Sequence, residues 1–150
     1  MAGRPVYETR EHREAELELS KSVGEYFRCD LMKTPPFTHY DYLARRGDET
    51  IAIVECKVRY YTWYRLKEWG GYMIGKRKFD KLSTSSEKYG VPAMLVVKDK
   101  IGSIRACSWL GKDHPSAMKI KEGGRTDRND RQDMEPCCII PTFQFSWRIS

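Results

Sequence analysis

The chain has 150 residues, 40% hydrophobic and 32% charged, with a net charge of +6. That length suits a single domain, 1–150, with a real core, and no apolar stretch approaches the roughly 20 residues that cross a bilayer. Five cysteines without paired spacing, and an N-terminus without an apolar signal segment, argue for reduced thiols and a cytoplasmic location.

The first predicted element is a helix over 8–27. Helix formers dominate it, and Leu19, Val23 and Phe27 recur at helical spacing. Glu16 extends this stripe back by one turn, an unusual place for an acid, with Glu14 and Glu18 close by. Cys29 to Lys33 reads as a short strand stopped by Pro35-Pro36.

A hairpin is expected from Thr38 to Arg59. Its second strand carries the apolar run Ile51-Ala52-Ile53-Val54 and ends in Glu55-Cys56-Lys57. Alternation along a strand points Glu55 and Lys57 to one face and Cys56 to the other. Two opposite charges beside a buried run need partners or a task. Arg45-Arg46-Gly47-Asp48-Glu49-Thr50 is the turn signal. A two-residue turn at Gly47-Asp48 puts Asp41 and Glu55 on opposite faces. A three-residue loop, Gly47-Asp48-Glu49, or a bulged equivalent of the same parity, sets them directly across from each other, with Cβ atoms about 5 Å apart. We expect the latter. Two carboxylates so placed suit a hard divalent cation such as Mg²⁺. A neighbouring lysine can orient or deprotonate a water and offset phosphate charge. The plainer reading of Glu-x-Lys is an ion pair on an ordinary hairpin.

Residues 60–69 are aromatic and basic without clear period, and read as a connector. The rings either stack on bases or cover a sheet edge. A second helix is expected from about Tyr72 to Tyr89, closed by Gly90 and Pro92. Val91 to Val97 is a near-continuous apolar strand, hence central and covered on both faces, and Ile101 to Trp109 is a strand antiparallel to it. Residues 112–136, with six basic and six acidic side chains, read as a long polar loop. Cys137 to Pro141 suggests a short strand before a docked aromatic tail of Phe143, Phe145 and Trp147.

Charge is unevenly distributed. Residues 1–56 are net −3, whereas 57–81 are net +6. Positive charge thus follows directly on the acidic pair, the footprint expected where a phosphate backbone crosses a metal centre.

Asp41 followed by Glu55-Cys56-Lys57, in the order helix, three strands, helix, two strands, resembles the PD-(D/E)xK nuclease superfamily over about residues 10–100, with Tyr40 where the family has Pro. The resemblance implies an α/β (α+β) fold: a mixed central sheet of about five strands flanked by helices, in the manner of restriction endonucleases. The core would lie at about 8–110, with a polar loop and tail at 111–150. It implies a small phage-type nuclease with a Holliday-junction-resolvase-like core, using Mg²⁺ or Mn²⁺ to hydrolyse DNA, duplex or branched, in the host cytoplasm. Asp41, Glu55 and the Cys56 carbonyl would hold the metal, completed by a first-helix acid, Glu16 or else Glu14 or Glu18, and Lys57 would position the attacking water. Arg59, Trp63, Tyr64, Lys76 and Lys78 are the expected nucleic-acid contacts. Cutting both strands calls for two sites, so a homodimer is expected. The rival class is a non-catalytic module of the same fold that binds nucleic acid or regulates a host protein. Metal-dependent cleavage separates the two.

Overall fold

The computed structural model describes residues 10–36, 38–113, 119–123 and 135–150. The chain forms α1 (Arg10–Phe27), β1 (Asp30–Lys33), β2 (Tyr42–Arg46), β3 (Glu49–Val58), α2 (Trp63–Glu68), β4 (Tyr72–Gly75), α3 (Lys76–Tyr89), β5 (Ala93–Lys98), β6 (Ile104–Trp109), β7 (Lys119–Gly123), β8 (Glu135–Ile140), a 3-10 turn (Thr142–Gln144) and β9 (Trp147–Arg148). It is a mixed α+β fold. The main sheet has six strands in the order β1-β2-β3-β5-β6-β9, and a smaller sheet runs β4-β8-β7. Only β3 and β5 pair in parallel within the main sheet; its other pairings are antiparallel.

The main sheet has two buried faces. On one, Leu19 and Val23 of α1 pack on Tyr42, Ala44, Ala52, Val54, Cys56, Val96 and Ala106. On the other, Ile53, Leu95, Val97, Cys107 and Trp109 meet Trp63 and Leu66 of α2, Phe79 and Leu82 of α3, and Tyr72, Ile74, Cys138 and Ile140 of the small sheet. β5 lies between β3 and β6 and is buried on both faces, as its unbroken apolar run predicts.

The hairpin reaches the expected parity by the bulged alternative rather than the three-residue loop. Its turn is the two-residue Gly47-Asp48, with Arg46 opposite Glu49 and Arg45 opposite Thr50. Gly47 has φ 63°, the backbone that glycine supplies at the first position of such a turn. The register then shifts, so that Ala44 faces Ala52, Leu43 faces Ile53 and Tyr42 faces Val54. Ile51 is the extra residue of a β-bulge. The ladder ends there: Asp41, just before β2, donates its amide to the Val54 carbonyl at 3.0 Å, which leaves it beside Glu55 and Cys56.

Other expectations need correction. The helix foreseen over 72–89 begins at Lys76; Tyr72–Gly75 is a strand, with Tyr72 and Ile74 buried and Met73 exposed in strand alternation. The connector 60–69 contains the short helix α2, whose N-cap Thr62 accepts a hydrogen bond from the Arg65 amide at 3.1 Å. A helix and a strand therefore stand between β3 and α3, while the six-stranded mixed sheet agrees with the expected sheet of about five strands. The polar loop holds β7 within 112–136; its stretches 114–118 and 124–134 lie outside the described residues. Of the aromatic tail, Phe145 is buried against Trp63 and Tyr72. Trp147 sits edge-on to Phe27, while Phe143 is exposed.

Gly71 fixes the approach of β4 to β8. Its φ is +141°, and a Cβ there would stand 2.2 Å from the Ile140 carbonyl oxygen. Gly71→Ala forces both backbone strain and separation of the two strands. The expected result is a loss of about 3 kcal/mol in chemical denaturation; an unchanged midpoint would show that the small sheet tolerates displacement.

Candidate active site

Glu55 is the most buried charged side chain of the described residues, at 1% exposure. It sits on β3 in the Ile53-Glu55-Lys57 row, which faces the α3 side of the sheet. Lys57 Nζ lies 3.0 Å from Glu55 Oε2, and Lys78 Nζ, from the first turn of α3, lies 3.2 Å from Oε1. Neither carboxylate oxygen accepts a hydrogen bond of good geometry. A buried carboxylate pays a large desolvation cost, and here two ammonium groups offset it without saturating its lone pairs.

Asp41 sits at the mouth of the hairpin. Its Oδ2 accepts a hydrogen bond from the Cys56 amide at 3.0 Å, which ties it to the strand between Glu55 and Lys57. Burial pushes the Asp41 carboxyl up to about 6, and the neighbouring Glu55 carboxylate adds to the rise. Lys57 and the Cys56 amide pull the other way. Burial alone would lower the Lys57 ammonium, but Glu55 and Asp41 outweigh it and raise its pKa above the usual lysine value. Lys57 is therefore a cation and a hydrogen-bond donor at neutral pH. Burial raises the Cys56 thiol well above its usual range, so its side chain is inert while its backbone stays beside the acids.

Glu16 approaches from α1, close enough to help raise the Asp41 pKa. Its Oε1 accepts from Lys33 Nζ at 2.7 Å, a partner on β1 that the sequence had not suggested. The sequence offers Lys78 as a phosphate contact or a solvated lysine; the structure pairs it with Glu55.

Among the remaining candidates, Trp63 is a correction. It is 4% exposed, packs on Phe145, and donates from its indole to the Ser103 carbonyl at 3.1 Å, so its ring has no face free for a base. Tyr64 is 73% exposed. Arg59 donates to the Tyr72 hydroxyl at 2.8 Å and lies over that ring. Lys76 pairs with Asp80 at 2.6 Å on the outer side of α3. There, His39, Lys76, Arg77 and Lys81 line a groove of about 530 Å³. α3 thus turns Lys78 towards Glu55 and a basic row towards solvent.

Among the described residues no three His, Cys, Asp or Glu side chains form a metal-binding cluster by themselves. The donor set to be tested is two carboxylates and the Cys56 carbonyl. All are hard oxygen donors, and the unsaturated Glu55 oxygens fit a divalent cation that keeps waters and takes substrate oxygens.

An Asp set opposite Glu-x-Lys, on a helix-flanked mixed sheet, is the constellation of a PD-(D/E)xK nuclease. The sequence matches the family described as "Phage putative PDDEXK endonuclease" over residues 2–147, and the chain belongs to that family. Among solved structures, the Holliday junction resolvase Hjc of the archaeal hyperthermophile Archaeoglobus fulgidus is similar over 91% of this chain and 95% of its own, at 16% identity and a TM-score of 0.49. No curated protein matches the chain. No helix of the described residues is long and apolar enough to cross a membrane.

Proposed function

We propose that this endonuclease-family chain hydrolyses DNA phosphodiesters with Mg²⁺ or Mn²⁺. The observation that carries the reading is the buried Glu55 carboxylate, unsaturated in hydrogen bonds and paired with Lys57, with Asp41 tied to the Cys56 amide between them. Asp41, Glu55 and the Cys56 carbonyl would hold the cation, with Glu16 beside them; bound there, the metal supplies Lewis-acid charge for the scissile phosphate. Lys57, kept protonated by its two acidic neighbours, donates to the attacking water and opposes the charge that develops on the phosphate. The hydrogen bond from the Cys56 amide to Asp41 supports its place in this set.

Nucleic acid would approach over the basic outer row of α3 and the exposed Tyr64. The groove formed by His39, Lys76, Arg77 and Lys81 supports that path, because clustered cations neutralise phosphates and release counterions. A chain with one such site cuts a duplex through two copies, so the reading includes a homodimer.

The test is cleavage of linear duplex, single-stranded and four-way-junction DNA with Mg²⁺, with Mn²⁺ and with EDTA. Cleavage of at least one substrate with either metal, and none in EDTA, is the expected result. Binding to all three without cleavage in either metal would instead favour a non-catalytic nucleic-acid module.

A further inference from the structure

We infer that Lys78 is a positioning residue that competes with a divalent cation for Glu55 and exchanges that carboxylate for a substrate phosphate, so that cation and nucleic acid strengthen each other's binding. The inference rests on the metal-dependent reading above.

Glu55 is shared by two ammonium groups that reach it from different elements. Lys57 comes from the same strand, two residues on, at 3.0 Å, and Lys78 comes from α3 at 3.2 Å. The position of Lys78 is set by packing. Phe79 and Leu82 are both fully buried, and Lys78 lies one turn before Leu82, so the inward stripe of α3 carries its stem towards the sheet. Lys76, Arg77 and Lys81 instead line the outer groove.

The charges are balanced. Lys57 and Lys78 match Asp41 and Glu55 one for one. A divalent cation ligating Glu55 meets two positive charges at close range, and like charges a few ångströms apart repel strongly in a poorly hydrated site. Both side chains are about one-third exposed, 35% for Lys57 and 31% for Lys78. Lys57 is held by two acids, Glu55 at 3.0 Å and the nearby Asp41, whereas Lys78 reaches Glu55 from a separate element on a flexible four-carbon stem, so Lys78 is the one that can swing towards solvent. A phosphodiester arriving there gives it a new anionic partner and frees Glu55 for the cation. By linkage, a ligand that draws Lys78 away must tighten cation binding, and the cation must tighten that ligand equally.

The experiment is Mn²⁺ calorimetry on the full chain, alone and with a short phosphorothioate duplex that resists hydrolysis, with folding checked by circular dichroism. Without DNA, Lys78→Gln is expected to bind Mn²⁺ about tenfold tighter than wild type, while Lys78→Arg, which keeps the charge, binds as wild type does. With the duplex, wild-type affinity for Mn²⁺ rises several-fold, and Lys78→Gln gains much less. Equal or weaker Mn²⁺ binding by Lys78→Gln would overturn the role of the lysine while leaving the metal reading intact. No Mn²⁺ binding by wild type, with or without duplex, would remove both.

Discussion

Glu55→Gln should lose both Mn²⁺ binding and cleavage, whereas Lys57→Ala should lose cleavage and still bind Mn²⁺. The two outcomes differ because the side chains have different tasks. Glu55 offers buried oxygens that accept no hydrogen bond. Gln keeps its shape but removes the charge, and its amide group presents a donor where a cation needs an acceptor. Lys57 offers no lone pair at neutral pH, since Glu55 and Asp41 raise its pKa. Removing it takes away a donor to water and a charge near the phosphate, and each such contribution is worth about 10²–10⁴ in rate. Lys78 also stays with Glu55 in the Lys57 variant, so the carboxylate is not left buried without a counter-ion. Calorimetry with Mn²⁺ and single-turnover cleavage read the two effects separately. Cleavage by Lys57→Ala at the wild-type rate would reject its role, and undiminished Mn²⁺ binding by Glu55→Gln would place the ion elsewhere.

How much of this site a sequence can disclose depends on the range of the forces that build it. Glu55 and Lys57 are legible because strand alternation is local and the apolar run before them is strong. The parity that brings Asp41 to Glu55 is legible, and of the two routes to it the bulged one is realised. Gly47-Asp48 forms the tight turn, and Ile51 supplies the compensating bulge. Nothing distinguishes Ile51 from its apolar neighbours, so the bulge is invisible until the strands are paired. β4 is hidden for a related reason: its partner β8 is contributed by residues far along the chain, and Tyr72 to Gly75 taken alone continues the helix that follows. Trp63 misleads because aromatic rings in a basic segment serve cores and bases alike. Only Thr62, a good N-cap, hints that a helix will turn this ring inwards. Lys78 was within reach. It lies one turn before Leu82, at the border of the buried stripe, and the phase of the helix singles it out from Lys76, Arg77 and Lys81. What the phase cannot give is the height of α3 over β3, which the packing of Phe79 and Leu82 decides.

Asp41→Asn should stabilise the protein in EDTA above pH 6 while abolishing cleavage. In the fold the Asp41 carboxyl is raised from its usual 3.8 to about 6, first by burial and then by Glu55. Between those two pH values the folded chain holds a proton on Asp41 that the unfolded chain has released. Folding stability therefore falls as pH rises through this window. Above about 6 the folded chain carries the charge, at a penalty of up to about 3 kcal/mol at roughly 1.4 kcal/mol per pH unit. Asn has nearly the same volume, retains an oxygen that can accept from the Cys56 amide, and has no charge to set against Glu55. The expected observation, from urea denaturation at a series of pH values in EDTA, is a stability difference near zero at pH 4 that grows in favour of Asn to between about 1 and 3 kcal/mol at pH 7. Mn²⁺ should reverse the order, because only the wild-type carboxylate would gain from the ion. A variant no more stable than wild type at pH 7 in EDTA would show that Asp41 is not held against its own charge; a variant that still cleaves would remove it from the site altogether.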